Sequence, residues 1–212
     1  SKNIFTVGNP SLDLIKSLKI ISKKKLENEF NINLDKPLLL IVQHTVTTEI
    51  NKIDKYFLET INAIKETNQQ SIIISGNADA GSQRIKKIIK NSNILNYENL
   101  PFIKYISLLY HSSAIIGNSS SGIMEAPFLH IPSINIGTRQ EGRGKTKSII
   151  NVKYDKHQIK MAINKTLTDK KFLNSIKNQN NEHGNGTSSK KIIQILEKLN
   201  FEKISIQKKL AY

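Results

Sequence analysis

One run of small residues in this chain has the types and spacing that chemistry can use: Gly117-Asn118-Ser119-Ser120-Ser121-Gly122. It follows the apolar Ala114-Ile115-Ile116 and precedes Ile123-Met124-Glu125-Ala126-Pro127, so it reads as a buried strand, a tight turn and a helix start. The backbone N–H groups of such a start have no intrahelical acceptor, and with the helix dipole and three hydroxyls they would favour an anion. The expectation is a phosphate cradle without a Walker-type lysine. Taken alone, the serines would also make an ordinary N-cap and turn cluster. Glu125 falls just inside the helix, far enough from the turn to meet a sugar attached to a bound phosphate, as acidic side chains meet ribose hydroxyls. It would serve equally as a surface carboxylate stabilising a helix N-terminus. Pro127, past the first turn, should kink or shorten that helix.

Arginine is the second signal. Of the 32 basic residues only Arg84, Arg139 and Arg143 are arginine, and two of these fall within five positions in Thr138-Arg139-Gln140-Glu141-Gly142-Arg143, just after the run Ser133-Ile134-Asn135-Ile136. The planar guanidinium fork suits phosphate better than an ammonium does. Arg139 follows the strand end more closely; Arg143 is placed to bind the same anion or to pair with Glu141 or another loop carboxylate. His44 follows the apolar run 38–42, which puts a histidine at the same carboxyl edge, and Thr47 or Thr48 is placed to cap the next helix. After the run 71–75, Asn77 is placed to hydrogen-bond a ligand and Asp79 to cap a helix.

Other chemistries lack their residues. There is no cysteine, which removes disulfides, thiolate metal sites and a cysteine nucleophile, and fits a reducing compartment. The remaining histidines, His111, His130, His157 and His183, are not at ligand spacing with one another or with carboxylates, so no metal is expected. No Gly-x-Ser-x-Gly elbow or full dinucleotide fingerprint is present, and no cofactor is expected. The formal charge of +15 would by itself raise a nucleic-acid reading, since positive charge attracts polyanions. The lysines are scattered through an Asn- and Ile-rich chain, and the densest run, Lys23-Lys24-Lys25, lacks interleaved aromatics and reads as a solvated helix start. No nucleic-acid partner is expected. The apolar runs are far shorter than the roughly 20 residues that span a bilayer, and residues 1–7 are not a signal peptide. The expectation is a cytoplasmic protein with no membrane partner.

The elements that must position these groups alternate. Short β-branched runs at 4–7, 38–42, 71–75, 94–97, 114–117, 133–136 and 148–152 read as strands, and amphipathic stretches at 23–30, 49–67, 82–90, 102–110, 122–130, 156–167 and 187–199 read as helices. That alternation predicts an α/β fold, a doubly wound parallel sheet covered on both faces. The chain is expected to be one domain over 1–212. A capping run Thr187-Ser188-Ser189 should open the last strong helix, and a lysine-rich helix at 201–210 should follow it.

The stretches from Gly117 to Pro127 and from Pro132 to Arg143 resemble the hallmark of the hydrolysing UDP-N-acetylglucosamine 2-epimerases. Gly8-Asn9-Pro10-Ser11-Leu12-Asp13, Gln43-His44-Thr45-Val46-Thr47-Thr48-Glu49, Asn77-Ala78-Asp79-Ala80-Gly81-Ser82 and His183-Gly184-Asn185-Gly186 support the resemblance across essentially the whole chain. It implies a GT-B-like architecture of two Rossmann-like domains closing over a nucleotide sugar, with this chain as the second domain, residues 1–10 as the interdomain crossing and 200–212 as a helix that packs on the first domain. By resemblance, His44 and the Ser119/Ser120 turn meet the diphosphate, Glu125 the ribose, Arg139 the nucleotide phosphates, and Asn77 and the backbone near Leu100 the uridine side. Ser121 and Gly122 would let the helix start approach closely. The implied reaction eliminates UDP to give a glycal and adds water, releasing N-acetylmannosamine for sialic-acid-like sugars. The acids and bases that work on the sugar ring belong mainly to the first domain, so this chain alone should be nearly inactive, and a homo-oligomer is expected of the full-length protein. Thr45-Val46 stands where a proline often follows the histidine. The three serines stand where non-hydrolysing relatives have Ser-Gly-Gly, which favours the hydrolysing branch over those relatives and over GT-B glycosyltransferases. Enzymes acting on UDP-N,N'-diacetylbacillosamine share the motif, so the sugar stays open.

Overall fold

In the computed structural model, which describes residues 4–76, 79–143 and 146–201, the chain divides into two compact units. The smaller comprises residues 1–17 and 184–212, the larger residues 18–183. In the smaller unit, α1 (Ser11–Ser17) packs against a helix from the other end of the chain, Ser188–Lys198. The later helix has no cap from its own Thr187; Asp13 supplies it, accepting the amides of Ser188 at 2.9 Å and Ser189 at 2.7 Å. The expected capping run is therefore corrected: a carboxylate distant in sequence does the work, because it satisfies two orphan N–H groups at once where a hydroxyl satisfies one.

The larger unit holds, in chain order, α2 (Lys23–Phe30), β1 (Leu38–Val42), a 3-10 segment (Thr47–Lys52) running into α3 (Ile53–Thr67), β2 (Gln70–Ile74), α4 (Ser82–Lys90), β3 (Leu95–Tyr97), α5 (Phe102–His111), β4 (Ala114–Gly117), a 3-10 turn (Ser120–Gly122), α6 (Glu125–Phe128), β5 (Ser133–Ile136), β6 (Ile149–Val152), α7 (Lys156–Thr168) and α8 (Lys170–Lys177). The helix at Ser188–Lys198 is α9. Among the described residues the six strands all pair in parallel, in the order β3-β2-β1-β4-β5-β6. Winding starts at β1, runs outward through β2 and β3, then returns to the far side of β1 for β4, β5 and β6. This is the doubly wound, Rossmann-like sheet that the alternation predicts, and its direction reverses between β1 and β4.

The central strands are apolar because both faces are covered. Every residue of β1, β4 and β5 is buried. Leu39 and Ile41 of β1 face a core with Phe57, Ile61 and Ile64 of α3, Ile85 and Ile89 of α4, and Ile159 and Ile163 of α7. The alternate residues Leu38 and Leu40 are also fully buried, with α5 against β1.

Several boundaries differ from the sequence expectation, each for a physical reason. Residues 4–7 form no strand: Ile4 is 77% exposed, Phe5 is 48% exposed, and neither pairs with the sheet. A β-branched run without a neighbouring edge has no ladder to join. The helix expected at 49–67 begins as a 3-10 segment broken at Glu49 (φ −117°), opened by Val46 without a side-chain cap from Thr47 or Thr48. The helix expected at 122–130 splits into the 3-10 turn and the one-turn α6, as Pro127 required. Gly81, not Asp79, is the N-cap of α4, with the Asp79 carbonyl accepting from Ser82. The sequence reading also passed over α1 and α8. α8 starts one residue after α7, on Asp169, whose carboxylate caps it through Phe172 N at 2.9 Å. Of the helix expected at 201–210, all beyond Phe201 lies outside the described residues, as does Asn77.

Candidate functional site

The residues singled out by chemistry gather at the carboxyl ends of the strands. His44 follows β1, Leu100 follows β3, Ser119, Ser120, Ser121 and Gly122 follow β4, Glu125 opens α6, and Arg139 and Arg143 follow β5. His44 and the serine turn therefore flank the reversal point of the sheet, where the crevice of an open α/β fold lies.

Close approach of β1 and β4 sets the geometry. Their register places Val42 beside Gly117. Gly117 has φ +134°, and a Cβ there would lie 2.2 Å from the Val42 carbonyl oxygen, so only glycine permits this passage. The next residue, Asn118, is 1% exposed and acts as the hub of the site. Its Oδ1 accepts from the His44 amide at 2.7 Å, and its Nδ2 donates to the His44 carbonyl at 2.9 Å. Its backbone amide donates to Val42 O at 3.2 Å. Its backbone carbonyl accepts from Gln140 Nε2 at 2.8 Å and from Arg139 Nη1 at 3.1 Å. One residue thus ties together the ends of β1, β4 and β5. Only one Arg139 nitrogen is used in that bond, which leaves most of the guanidinium fork for another acceptor.

The serine turn is built as a helix start. Ser119 caps it, its hydroxyl accepting from Ser121 N at 3.3 Å and its carbonyl from Gly122 N at 3.1 Å. Gly122 is buried against β5, where a Cβ would sit 2.5 Å from Ser133 Oγ. Glu125 is not a surface carboxylate. Its Oε2 is buried without a hydrogen-bond partner among the described residues, and burial raises its pKa above the ordinary glutamate value against the pull of its own amide and the Ser121 hydroxyl. The Tyr105 hydroxyl of α5 is also buried without a well-formed hydrogen bond; burial pushes its pKa up, and the neighbouring Ser121 and Glu125 act on it as well. His44 is held below its usual pKa by burial first, then by the Arg139 charge, with Asp79 opposing. Burial and the Arg139 charge thus both favour the neutral imidazole of His44.

The remaining positions contribute differently. Arg143 donates to Gln140 Oε1 at 3.3 Å, a neutral partner in place of a loop carboxylate. The Leu100 amide is already bonded to Asn99 Oδ1 at 2.9 Å. The site roster read from the sequence omitted Asn118, Gln140 and Tyr105. Asn118 and Gln140 lie inside the motifs that were read, but what marks them is burial beside a neighbouring strand end, which no linear spacing reveals.

Residues 1–197 match the family described as UDP-N-acetylglucosamine 2-epimerase. The chain belongs to that family. Among its relatives, the GDP/UDP-N,N'-diacetylbacillosamine 2-epimerase (hydrolyzing) of Campylobacter jejuni is 36% identical over 157 residues, 71% of this chain and 41% of that protein. The UDP-N,N'-diacetylbacillosamine 2-epimerase (hydrolyzing) of Legionella pneumophila is 29% identical over 217 residues, 100% of this chain and 56% of that protein. The chain therefore spans about half the length of these relatives. The crystal structure of UDP-GlcNAc 2-epimerase from Neisseria meningitidis bound to UDP-GlcNAc superposes with a TM-score of 0.77 at 21% identity, covering 93% of this chain and 56% of that one. At that identity the likeness establishes the shared Rossmann-like, GT-B-type fold. Among the described residues, no helix is long and apolar enough to cross a membrane.

Proposed function

We propose that this chain is the nucleotide-gripping half of a hydrolysing UDP-sugar 2-epimerase, which converts a UDP-2-acetamido sugar and water into UDP and the free, C2-epimerised sugar. The observation that carries the reading is the convergence of His44, Ser119–Ser121 and Arg139 around Asn118 at the reversal point of the sheet, with a partnerless Glu125 oxygen beside them. In this reading the amides and hydroxyls of the serine turn, the Arg139 guanidinium and His44 bind the diphosphate. They thereby stabilise the negative charge that UDP acquires when its bond to the sugar breaks. Glu125 Oε2 accepts from a ribose hydroxyl, and Asn77 with the backbone near Leu100 meets the uracil. Arg143 holds the loop after β5 to the same phosphates.

The hydrolysing branch is supported by the Asn118-Ser119-Ser120-Ser121-Gly122 turn and by the printed activities of the Campylobacter and Legionella relatives. UDP-N-acetylglucosamine, released as N-acetylmannosamine for sialic-acid-like sugars in the cytoplasm, is the first substrate reading. UDP-N,N'-diacetylbacillosamine is the second, favoured by the names of those two relatives. Groups that act on the sugar ring reside mainly in a first domain that precedes this one, so the chain alone turns over little substrate, and the full-length enzyme is a homo-oligomer.

Calorimetric titration of UDP into the chain tests the nucleotide reading, with GDP as the control and Glu125→Ala alongside. Saturable UDP binding, weakened about tenfold by the substitution as expected for loss of a charged acceptor, supports it. No binding of UDP, or binding indifferent to Glu125, would refute it, and equal binding of GDP would remove its uridine specificity.

A further inference from the structure

Arg139, which the nucleotide reading places on the diphosphate, rides on a loop that packing alone does not fix. Gly137, Thr138, Gln140, Glu141 and Gly142 of that loop border a cavity of about 700 Å³ beside the carboxyl ends of β5 and β6, which Asn135 and Tyr154 also line. A side chain presented from such a loop keeps its aim where discrete bonds fasten the chain on either side of it. Two bonds bracket Arg139 in this way. On its C-terminal side Gln140 Nε2 donates to Asn118 O at 2.8 Å. On its N-terminal side Thr138 Oγ1 donates to Glu49 Oε1 at 2.9 Å.

Glu49 reaches the loop from another element. It lies in the 3-10 segment Thr47–Lys52 that follows His44, and its own amide donates to Val46 O at 2.9 Å. The bond from Thr138 therefore joins the segment after β1 to the loop after β5, across the intervening end of β4. Asn118 makes the same connection, from the His44 amide through its side chain to Gln140 at its carbonyl. The chain that carries His44 and the chain that carries Arg139 are thus tied twice, by bonds that share no atom.

The second tie is kept at a cost and is braced. Glu49 Oε2 is buried without a hydrogen-bond partner among the described residues, an unfavourable state for a carboxylate oxygen. Tyr154 stands beside it: burial first, and then the Glu49 charge, push the tyrosine pKa up. The Tyr154 ring stacks on Tyr56 of α3 with centroids 3.9 Å apart and an interplanar angle of 3°. The same ring passes so close to Gly137 that a Cβ there would fall 2.2 Å from it. It is therefore wedged between the helix that continues the Glu49 segment and the first residue of the Arg139 loop.

We propose that Glu49 is a positioning residue for diphosphate binding: by accepting from Thr138 it holds the Arg139 guanidinium in place for the phosphates, without touching the ligand itself. Fastening the arginine beforehand removes an ordering cost that binding would otherwise carry. The assignment rests on the nucleotide reading and adds to it a residue that acts only through Arg139.

The test titrates UDP into the chain and into Thr138→Val, Glu49→Ala, Glu49→Gln, Arg139→Ala and the double variant Thr138→Val with Arg139→Ala, using heats for the tighter binders and amide chemical shifts for the weaker. Thr138→Val replaces the hydroxyl by a methyl group of the same shape, and Glu49→Gln keeps an oxygen that accepts from Thr138. Thr138→Val and Glu49→Ala are each expected to weaken UDP by about fivefold, and Glu49→Gln to stay within about twofold of wild type. In the Arg139→Ala background Thr138→Val should have no further effect, whereas general damage to the fold would weaken both backgrounds alike. UDP binding indifferent to Thr138→Val, an equal loss with and without Arg139, or a loss in Glu49→Gln as large as in Glu49→Ala overturns the positioning role and leaves the nucleotide reading standing. Absence of UDP binding by wild type overturns both.

Discussion

Asn118 shows how much of this site hangs on one small side chain. Its amide group holds His44 by both the N–H and the carbonyl, whereas its contacts to Arg139 and Gln140 use only the backbone. Asn118→Ala should therefore cost about 2 kcal/mol in chemical denaturation, the scale for leaving buried polar groups unpaired, and weaken UDP while leaving the Arg139 loop in place. Asn118→Asp keeps the acceptor for His44 N but sets a carboxylate beside the expected phosphate, so its loss of UDP affinity should exceed that of the alanine variant even where its stability does not. His44 carries a pH prediction. Its folded pKa lies below the free value of 6.5, so the unfolded chain binds more protons and stability falls as pH drops below 6.5 toward the folded pKa. A bound diphosphate favours the imidazolium. UDP-sugar binding near pH 6 should thus take up a proton, seen as a dependence of calorimetric enthalpy on buffer ionisation heat, and His44→Gln should abolish that uptake. Glu125 has the opposite sign. Its raised folded pKa means stability is full below the unfolded value of 4.5 and declines as pH rises through the folded one. Glu125→Gln should melt above wild type at pH 7 and not at pH 4, while binding UDP less well. A binding group kept at a cost to stability is the signature of a ligand site.

At the scale of elements, two glycines decide whether strand ends can meet, and they should fail differently. Gly117→Ala combines a positive φ with a clash against the rigid Val42 carbonyl, and roughly 3 kcal/mol of destabilisation is expected from strain and overpacking together. Gly122→Ala meets only the Ser133 hydroxyl, so the double variant Gly122→Ala with Ser133→Ala should recover most of the stability that the single one loses. Thermal unfolding of the four chains checks both. Strands β1 and β4 were legible because short apolar runs between turn signals have few alternatives, and β5 because Ile134 and Ile136 alternate with polar residues. The run 4–7 carried the same signal and formed no strand, because a ladder needs a neighbour that local composition does not contain. α8 was passed over because a single residue, Asp169, separates it from α7 and no glycine or proline marks the break.

For the molecule as a whole, the sheet lies entirely in the unit of residues 18–183, with β1 and β4 at its centre and β3 at an edge. Amide hydrogen exchange should be slowest at Leu39–Ile41 and Ile115–Ile116 and faster at Leu95–Tyr97. Read from the sequence, the charge of +15 is a lysine background and not a track of phosphate-binding groups. Arbitrary duplex DNA should therefore not displace UDP at moderate salt, where non-specific contacts are screened.

Residue type and order alone determined the alternation of strands and helices, the parallel doubly wound sheet, and the grouping of His44, the serine turn, Glu125 and the two arginines at one edge. These follow from local periodicity and from the rule that chain direction returns each βα turn to the same side. Tertiary structure alone decided that Asn118 is the hub, that Asp13 caps a helix at the other end of the chain, that one Glu125 oxygen is buried, and that Glu49, Asn135 and Tyr154 line one cavity. Each of these depends on contacts between residues far apart in sequence, whose distances are set by strand order and close backbone approach and leave no trace in linear spacing.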